Sequence, residues 1–431
     1  PGTTLTPRIG RKPDARGRLP AGPPRTVPAT PAAPGPPAPP PPRAGTPRSA
    51  SRPARLVARF PAIRPRSPRC RTTLTGIQPI VSIHFSIHKS IQTMDTHADT
   101  VRLYLSRGPL PGRQLTEKLG VSQPTLSRVL NAMGADIVRI GATRSIHYAL
   151  RDTRRGLPDI PIHRVDPEGR VQQLGTLVPV CPDGFVMQQP DGTTLHSEGL
   201  PWWLLDMRPQ GYLGRAYAAR HGADLGLPPR LGDWTDTHAL RALLAHGHDL
   251  IGNLLPGDAA RGHFLATPLP DPIPHPHKPE AYAQLAREAA RGELPGSSVG
   301  GEQPKFTTRA MTAAGPRHVI VKFSEAEAGP VPQRWRDLLL AEHLALETLR
   351  HAGIPAAASR IIDHHGQRFL EVERFDRIGD LGRCALISLS ALDAEFLGTG
   401  SSPWPVLTHK LAAARHITPG AAHDAARLWA F

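Results

Sequence analysis

The sequence predicts a multidomain chain of the α+β class, and three observations predict it. The first 93 residues are crowded with proline and arginine. Apolar residues then recur at helical spacing from Met94 onward. Beyond about Asp159, short strand-like runs such as RVQQLGTLVPV are interleaved with aromatic-rich and helical stretches. A length of 431 residues allows roughly two to four domains. The expected order is a disordered tail (1–93), a small helical head closed by a hairpin (94–152), a mixed α/β middle domain (153–280), a sheet-and-helix lobe (281–375) and the beginning of a helical lobe (376–431).

The net charge of +16 points to a nucleic-acid binder until it is mapped. Residues 1–93 hold 16 of the 52 Lys and Arg residues and a single acid, Asp14, leaving 36 bases against 35 acids in the rest of the chain. The high pI therefore belongs to the tail. Twenty-one of the 50 prolines fall within the first 80 residues, so this segment can neither sustain helical hydrogen bonding nor bury a core. The abrupt change at Met94, the first methionine, favours reading 1–93 as upstream translated sequence absent from the natural protein. The alternative is a basic arm that contacts nucleic acid electrostatically.

Cys70, Cys181 and Cys384 lie far apart with no CxxC pair, which suggests neither a disulfide framework nor a zinc site. The close histidine groups, HPHK at 275–278 and His364-His365, read as surface loops. With no run of 18 apolar residues, a cytoplasmic protein with no membrane partner is the default expectation.

From Met94 the chain reads as helix, helix, turn, helix, hairpin. Val101, Leu103, Leu105, Leu115, Leu119, Leu126, Val129, Leu130 and Met133 are expected to form one shared core. Gly120 fits the turn before the third helix, and Ser122 fits its N-cap. Ile137, Arg139, Ile146 and Tyr148 alternate around Gly141-Ala142-Thr143-Arg144 as in a hairpin. This is a winged helix-turn-helix, and LTEKLGVSQPTLSRVL resembles the helix-turn-helix of bacterial repressors. Ser122, Gln123, Thr125 and Arg128 would then enter the major groove of DNA, and Arg139 and Arg144 would reach phosphates. The competing reading is a helical packing module without DNA binding.

In the middle segment, Trp202, Trp203, Leu204 and Tyr212 are expected to pack in a core or between domains. Asp249 and Asn253 of GHDLIGN are read as structural. The stretch SSVGGEQPKF (297–306) fits neither a Walker A loop nor a GxGxxG turn. Its followers give it meaning. Lys322 sits inside the strand HVIVKFS and needs an anionic partner. In the next helix, Glu342 occupies the same stripe as Trp335, Leu338, Leu339, Ala345, Leu346 and Leu349. A glycine loop, a strand lysine and a helix glutamate in this order are the parts of a protein-kinase-like N-lobe. An ordinary ion pair beside a turn is the plainer alternative. AASRIIDHHGQRFLEVERFDR reads as a hairpin turning at DHHG and leading into a hinge.

SSVGGEQPK, VIVKF, LLAEHLALETL and LEVERFDR together resemble the HipA family of serine/threonine kinases, the toxin partners of bacterial toxin–antitoxin pairs. GLPWWLLDMRPQGYLGR resembles the middle region of the YjjJ-type branch, which carries its own N-terminal helix-turn-helix. The resemblance spans about 94–431. It implies a nucleotide loop at Val299, Gly300, Gly301, Glu302 and Gln303, with Lys305 following it. It also implies Ser298 as an autophosphorylation candidate, Lys322 on the phosphates with Glu342 orienting it, and Glu373 and Phe375 at the adenine hinge. ATP and Mg are the implied cofactors; DNA, an antitoxin protein and a protein substrate are the implied partners. Glu302 stands where many members have alanine.

The family's chemistry also needs an Asp in a loop resembling G-N-x-D-x-H-x-x-N and a second, metal-holding Asp. Neither follows here. Asp393 and Asp424 fall in helix-like segments, so no catalytic or metal-binding residue is assigned. The expectation is a kinase truncated before its catalytic loop and inactive as it stands. The alternative is a DNA-binding regulator with a degenerate kinase-like module.

Overall fold

The computed structural model describes residues 95–142, 146–291, 300–400 and 402–430, all within one compact unit, Ile77–Phe431. The expectations for residues 1–93, Met94, Arg144, Ser298 and Val299 fall outside the described residues. What is described is a mixed α/β structure built on three larger antiparallel sheets.

The first region joins a helix over 95–105 (α1), a two-residue strand β1 (Leu110–Pro111), α2 (Gly112–Leu119), α3 (Gln123–Met133), β2 (Ile137–Ile140) and β3 (His147–Leu150). Val101, Leu105, Leu115, Leu126, Val129, Leu130 and Met133 form its core. Burying each such side chain contributes about 1.5–3 kcal/mol. Leu103 corrects the expectation: it is exposed, because two residues along a helix turn it about 200° from Val101. Gly120 adopts the left-handed conformation (φ 64°) that ends α2. Ser122 does stand at the N-cap of α3, but its hydroxyl meets Thr125 Oγ1 at 3.0 Å rather than a backbone amide. Strand order β1-β3-β2 adds a strand beyond the expected hairpin.

That hairpin is fused to the next sheet. Val138 and Ala149 pack with Val178, Val180 and Val186, and the Cys181 amide donates to the Leu150 carbonyl at 2.8 Å. The second sheet contains β4 (Ile160–Val165), β5 (Val171–Val180), β6 (Gly184–Gln188), β7 (Thr194–Ser197) and β8 (Leu254–Pro256), in the order β7-β6-β5-β4-β8. Around it lie a 3-10 turn (Trp202–Met207), α4 (Gly211–His221), α5 (Asp236–His246) and α6 (Gly257–Ala266). Leu204 is fully buried here.

The third sheet has the order β11-β12-β10-β9, from β9 (Lys305–Thr312), β10 (Gly315–Phe323), β11 (Ser359–His364) and β12 (Gln367–Glu373). One face is covered by α7 (Lys278–Ala290), where Tyr282, Ala283 and Ala286 pack on Phe306, Val319, Val321, Phe323 and Phe369. The other meets α8 (Pro330–His351). The turn between β11 and β12 uses His365 (φ 45°) and Gly366 (φ 82°).

On α8 the inward face carries buried Leu339 with half-buried Trp335, Glu342, His343, Leu346 and Leu349. Leu338 and Ala345, expected on that stripe, are exposed. At about 100° per residue they fall roughly a quarter turn off the face.

After β12 come the short pair β13 (Arg377–Ile378) and β14 (Gly382–Arg383), then α9 (Leu389–Phe396), α10 (Trp404–Ala413) and α11 (Pro419–Ala430). The Trp202 ring meets Phe396 of α9 edge-on, 5.3 Å between centroids, so this tryptophan packs between regions as expected. Asp393 is buried and accepts from the Thr399 and Gly400 amides at 3.0 and 2.7 Å; it organises the turn after α9. Among the described residues no helix is long and apolar enough to cross a membrane.

Candidate functional site

Strand alternation places Lys305 and Lys322 on one face of the third sheet, directly opposite each other in register across β9 and β10. Like charges so placed repel, and each lysine has its own answer. Lys322 Nζ donates to Glu342 Oε1 of α8 at 2.5 Å. Lys305 Nζ turns back to the carbonyls of Gly300 and Gly301, at 2.5 and 3.0 Å. The Lys305 side chain is almost fully buried. Burial, and then the nearby Lys322 charge, push its ammonium down to about 8.

Gly301 explains the glycine pair: its φ is +99°, and a Cβ there would lie 2.9 Å from Lys305 Nζ. The turn is held from the middle region. The Tyr212 amide at the start of α4 donates to the Gly301 carbonyl at 3.1 Å. A side chain on Gly211 (φ +63°) would strike that carbonyl, 2.4 Å away. Arg215 Nη1 donates to Glu302 Oε2 at 2.5 Å, which offsets the carboxylate that stands where many members of the resembled family have alanine. The Tyr212 ring also meets Phe323 edge-on at 6.3 Å. The motif RPQGYLGR is thus in part a clamp on the 300–302 turn, a role the sequence alone did not suggest.

Glu373 ends β12 and is half-buried, Arg317 lying 3.9 Å away, whereas Phe375 is 71% exposed. Between and after them, Arg374, Asp376 and Arg377 turn inward and are buried. Asp376 Oδ2 accepts from the Gly252 amide at 3.0 Å, from Arg374 at 2.9 Å and from Arg377 at 2.6 Å. Asp249 accepts from Arg377 at 2.8 Å. Burial alone would raise the Asp249 carboxyl, but Arg374, Arg377 and Arg383 reverse this and hold it well below the usual carboxylate range. Asp249 is therefore an ion-pair anchor, in keeping with its structural reading. Asn253 lends its carbonyl to the Val165 amide at 2.8 Å.

On the opposite face of the sheet lies a pair that sequence reasoning missed. Lys278 Nζ donates to Glu371 Oε2 at 2.6 Å, and the Tyr282 hydroxyl donates to the same oxygen. All three are buried. The signal available was Glu371 inside the apolar run FLEVE; its partner lies 93 residues away, beyond the reach of any periodicity.

In the first region Ser122, Gln123, Arg128 and Arg139 are exposed and Thr125 is half-buried. His275 and His277 are exposed. No group of three or more metal-ligating side chains occurs among the described residues.

Two family models match the chain in sequential order. Residues 157–265 match the middle domain of YjjJ-like toxins, and residues 297–401 match the HipA-like C-terminal domain. The fold and its lysine-lined face therefore sit in a HipA-like framework. Over 329 residues the chain is 37% identical to the protein described as Toxin YjjJ of Escherichia coli (strain K12), a match covering 76% of this chain and 74% of that relative. The chain belongs to this YjjJ family of HipA-like toxins.

Proposed function

We propose that the face bearing Lys305 and Lys322 is the nucleotide-phosphate site of a HipA-like serine/threonine protein kinase, and that the N-terminal region is a winged helix-turn-helix that binds DNA. The observation carrying the kinase reading is the Lys322–Glu342 pair beside the Gly300–Gly301 turn. A strand lysine fixed by a helix carboxylate, opposite a second lysine that reaches a glycine turn, is what holding nucleotide phosphates requires. Two ammonium groups on one face fit the charge of a polyphosphate. Lys322 and Lys305 would hold phosphate oxygens, Glu342 would keep Lys322 in place, and Glu373 and Phe375 would border the base. ATP, when bound, supplies the transferable γ-phosphate, with a protein Ser/Thr as acceptor. The donor set on this face is cationic, so the residues fit a phosphate rather than a metal ion, and no role is assigned to Mg.

The test is displacement of a fluorescent ATP analogue from the full chain. Lys322→Ala should weaken binding at least about tenfold; unchanged affinity would sink the nucleotide reading.

The DNA reading is supported by Ser122 and Gln123 standing exposed at the start of α3, Arg128 exposed at its middle, and Arg139 exposed on β2. It also sustains the second reading, a regulator whose kinase-like part only senses nucleotide. Fluorescence anisotropy on the fragment upstream of the protein's own reading frame separates the possibilities. Arg128→Ala should abolish specific retention without unfolding the chain, and equal retention would remove the groove assignment. In a toxin–antitoxin setting an antitoxin protein is the expected partner, and autoregulation by the head is its alternative.

A further inference from the structure

A cavity of about 330 Å³ lies between α6, the β9–β10 hairpin and the 374–383 segment, within the size range of small-molecule sites. Arg374 lines it, whereas its neighbour Phe375 faces solvent. Thr307, Arg309 and His318 in its lining alternate onto the same sheet face as Lys305 and Lys322, farther along β9 and β10, but neither lysine lines it.

Its charge does not balance. Arg374, Arg377 and Arg383 face two carboxylates, Asp249 and Asp376, and both of those are engaged by Arg374 and Arg377. The other pair at the rim, Arg309 with Asp380, is neutral as a unit. Arg383 is the guanidinium left over. It is 5% exposed, its Nη2 donates to the His248 carbonyl at 2.6 Å, and its Nη1 has no partner. Its guanidinium stacks 4.7 Å over the Phe264 ring. Burial and the adjacent Arg377 push it down to about 9, so it remains charged at neutral pH. An unpaired buried cation is costly unless an anion meets it. Phe264, Leu285 and Leu381 supply apolar wall beside it.

We propose that this cavity binds a small organic monoanion, a carboxylate on an apolar body, with the carboxylate on Arg383 and the body against Phe264, Leu285 and Leu381. One excess positive charge calls for a singly charged group, which favours a carboxylate over a phosphate monoester, close to doubly charged at neutral pH.

Calorimetric titration of the full chain with benzoate, and with benzamide as its uncharged counterpart, tests this. Benzoate should bind at millimolar concentrations and benzamide at least about tenfold more weakly. Arg383→Met should lose benzoate binding by a similar factor while still unfolding in one cooperative transition. Leu285→Trp, which enlarges an apolar wall residue of the cavity and leaves Arg383 in place, should also abolish binding. Absence of benzoate binding, equal affinity for benzamide, or benzoate binding unaffected by either substitution would overturn the proposal.

Discussion

The third sheet carries one lysine–glutamate pair on each face, and the two differ in almost everything but chemistry. Lys278 and Glu371 join α7 to a central strand with side chains 1% and 5% exposed. Lys322 and Glu342 join a strand to α8 with side chains 21% and 31% exposed. The buried pair has a tyrosine hydroxyl completing its hydrogen bonding. The open pair lies beside a glycine turn and a second lysine. A fully enclosed ion pair can only fix the position of what it joins, whereas a partly open one can exchange partners with an incoming anion.

The largest expected effect comes from breaking the closed pair. Lys278→Met leaves Glu371 buried and unpaired, and should cost about 3–5 kcal/mol in urea unfolding. Lys278→Met combined with Glu371→Met should recover most of that loss. A single substitution costing no more than a surface pair would erase the contrast between the faces. Lys322→Ala, by comparison, should cost about 1 kcal/mol or less while reducing nucleotide affinity at least about tenfold.

Lys305 sharpens the comparison through pH. Its ammonium titrates at about 8 in the folded protein, against about 10.4 in an unfolded chain. Between those values the unfolded chain binds more protons, so folding stability should rise as pH increases through that window. A bound phosphate prefers the protonated lysine, so nucleotide affinity should fall over the same interval, by up to about tenfold per pH unit above 8. Lys305→Met should flatten both profiles. Coincident slopes of the same sign would remove Lys305 from phosphate binding. The smallest effect is expected at the loop carboxylate. Glu302→Ala should change nucleotide affinity no more than about threefold, because Arg215 already offsets it.

What could be read in the sequence was local. The helices of the first region, the 359–373 hairpin and the placement of Glu342 opposite Lys322 follow from period and from the cost of a lone charge on an apolar stripe. Side-chain directions were less legible. Leu103, Leu338 and Ala345 are apolar residues whose helical angle carries them out of the core, and apolarity alone hid that. The partners of Lys278 and of the Arg374–Arg383 cluster were not legible, because they are brought together only by the tertiary fold. Sequence spacing says nothing about residues 93 or 125 positions apart.

The Asp376–Gly252 hydrogen bond has a consequence for taking the protein apart. A cut between residues 265 and 297, where the two matched families meet, would sever no strand of either sheet. It would nevertheless strip the 248–252 loop of three arginines and a carboxylate, and the 374–383 segment of the backbone groups that receive it. The two halves are covalently sequential but electrostatically interlocked. Swapping either for the equivalent piece of a relative would succeed only if the loop and the segment travelled together.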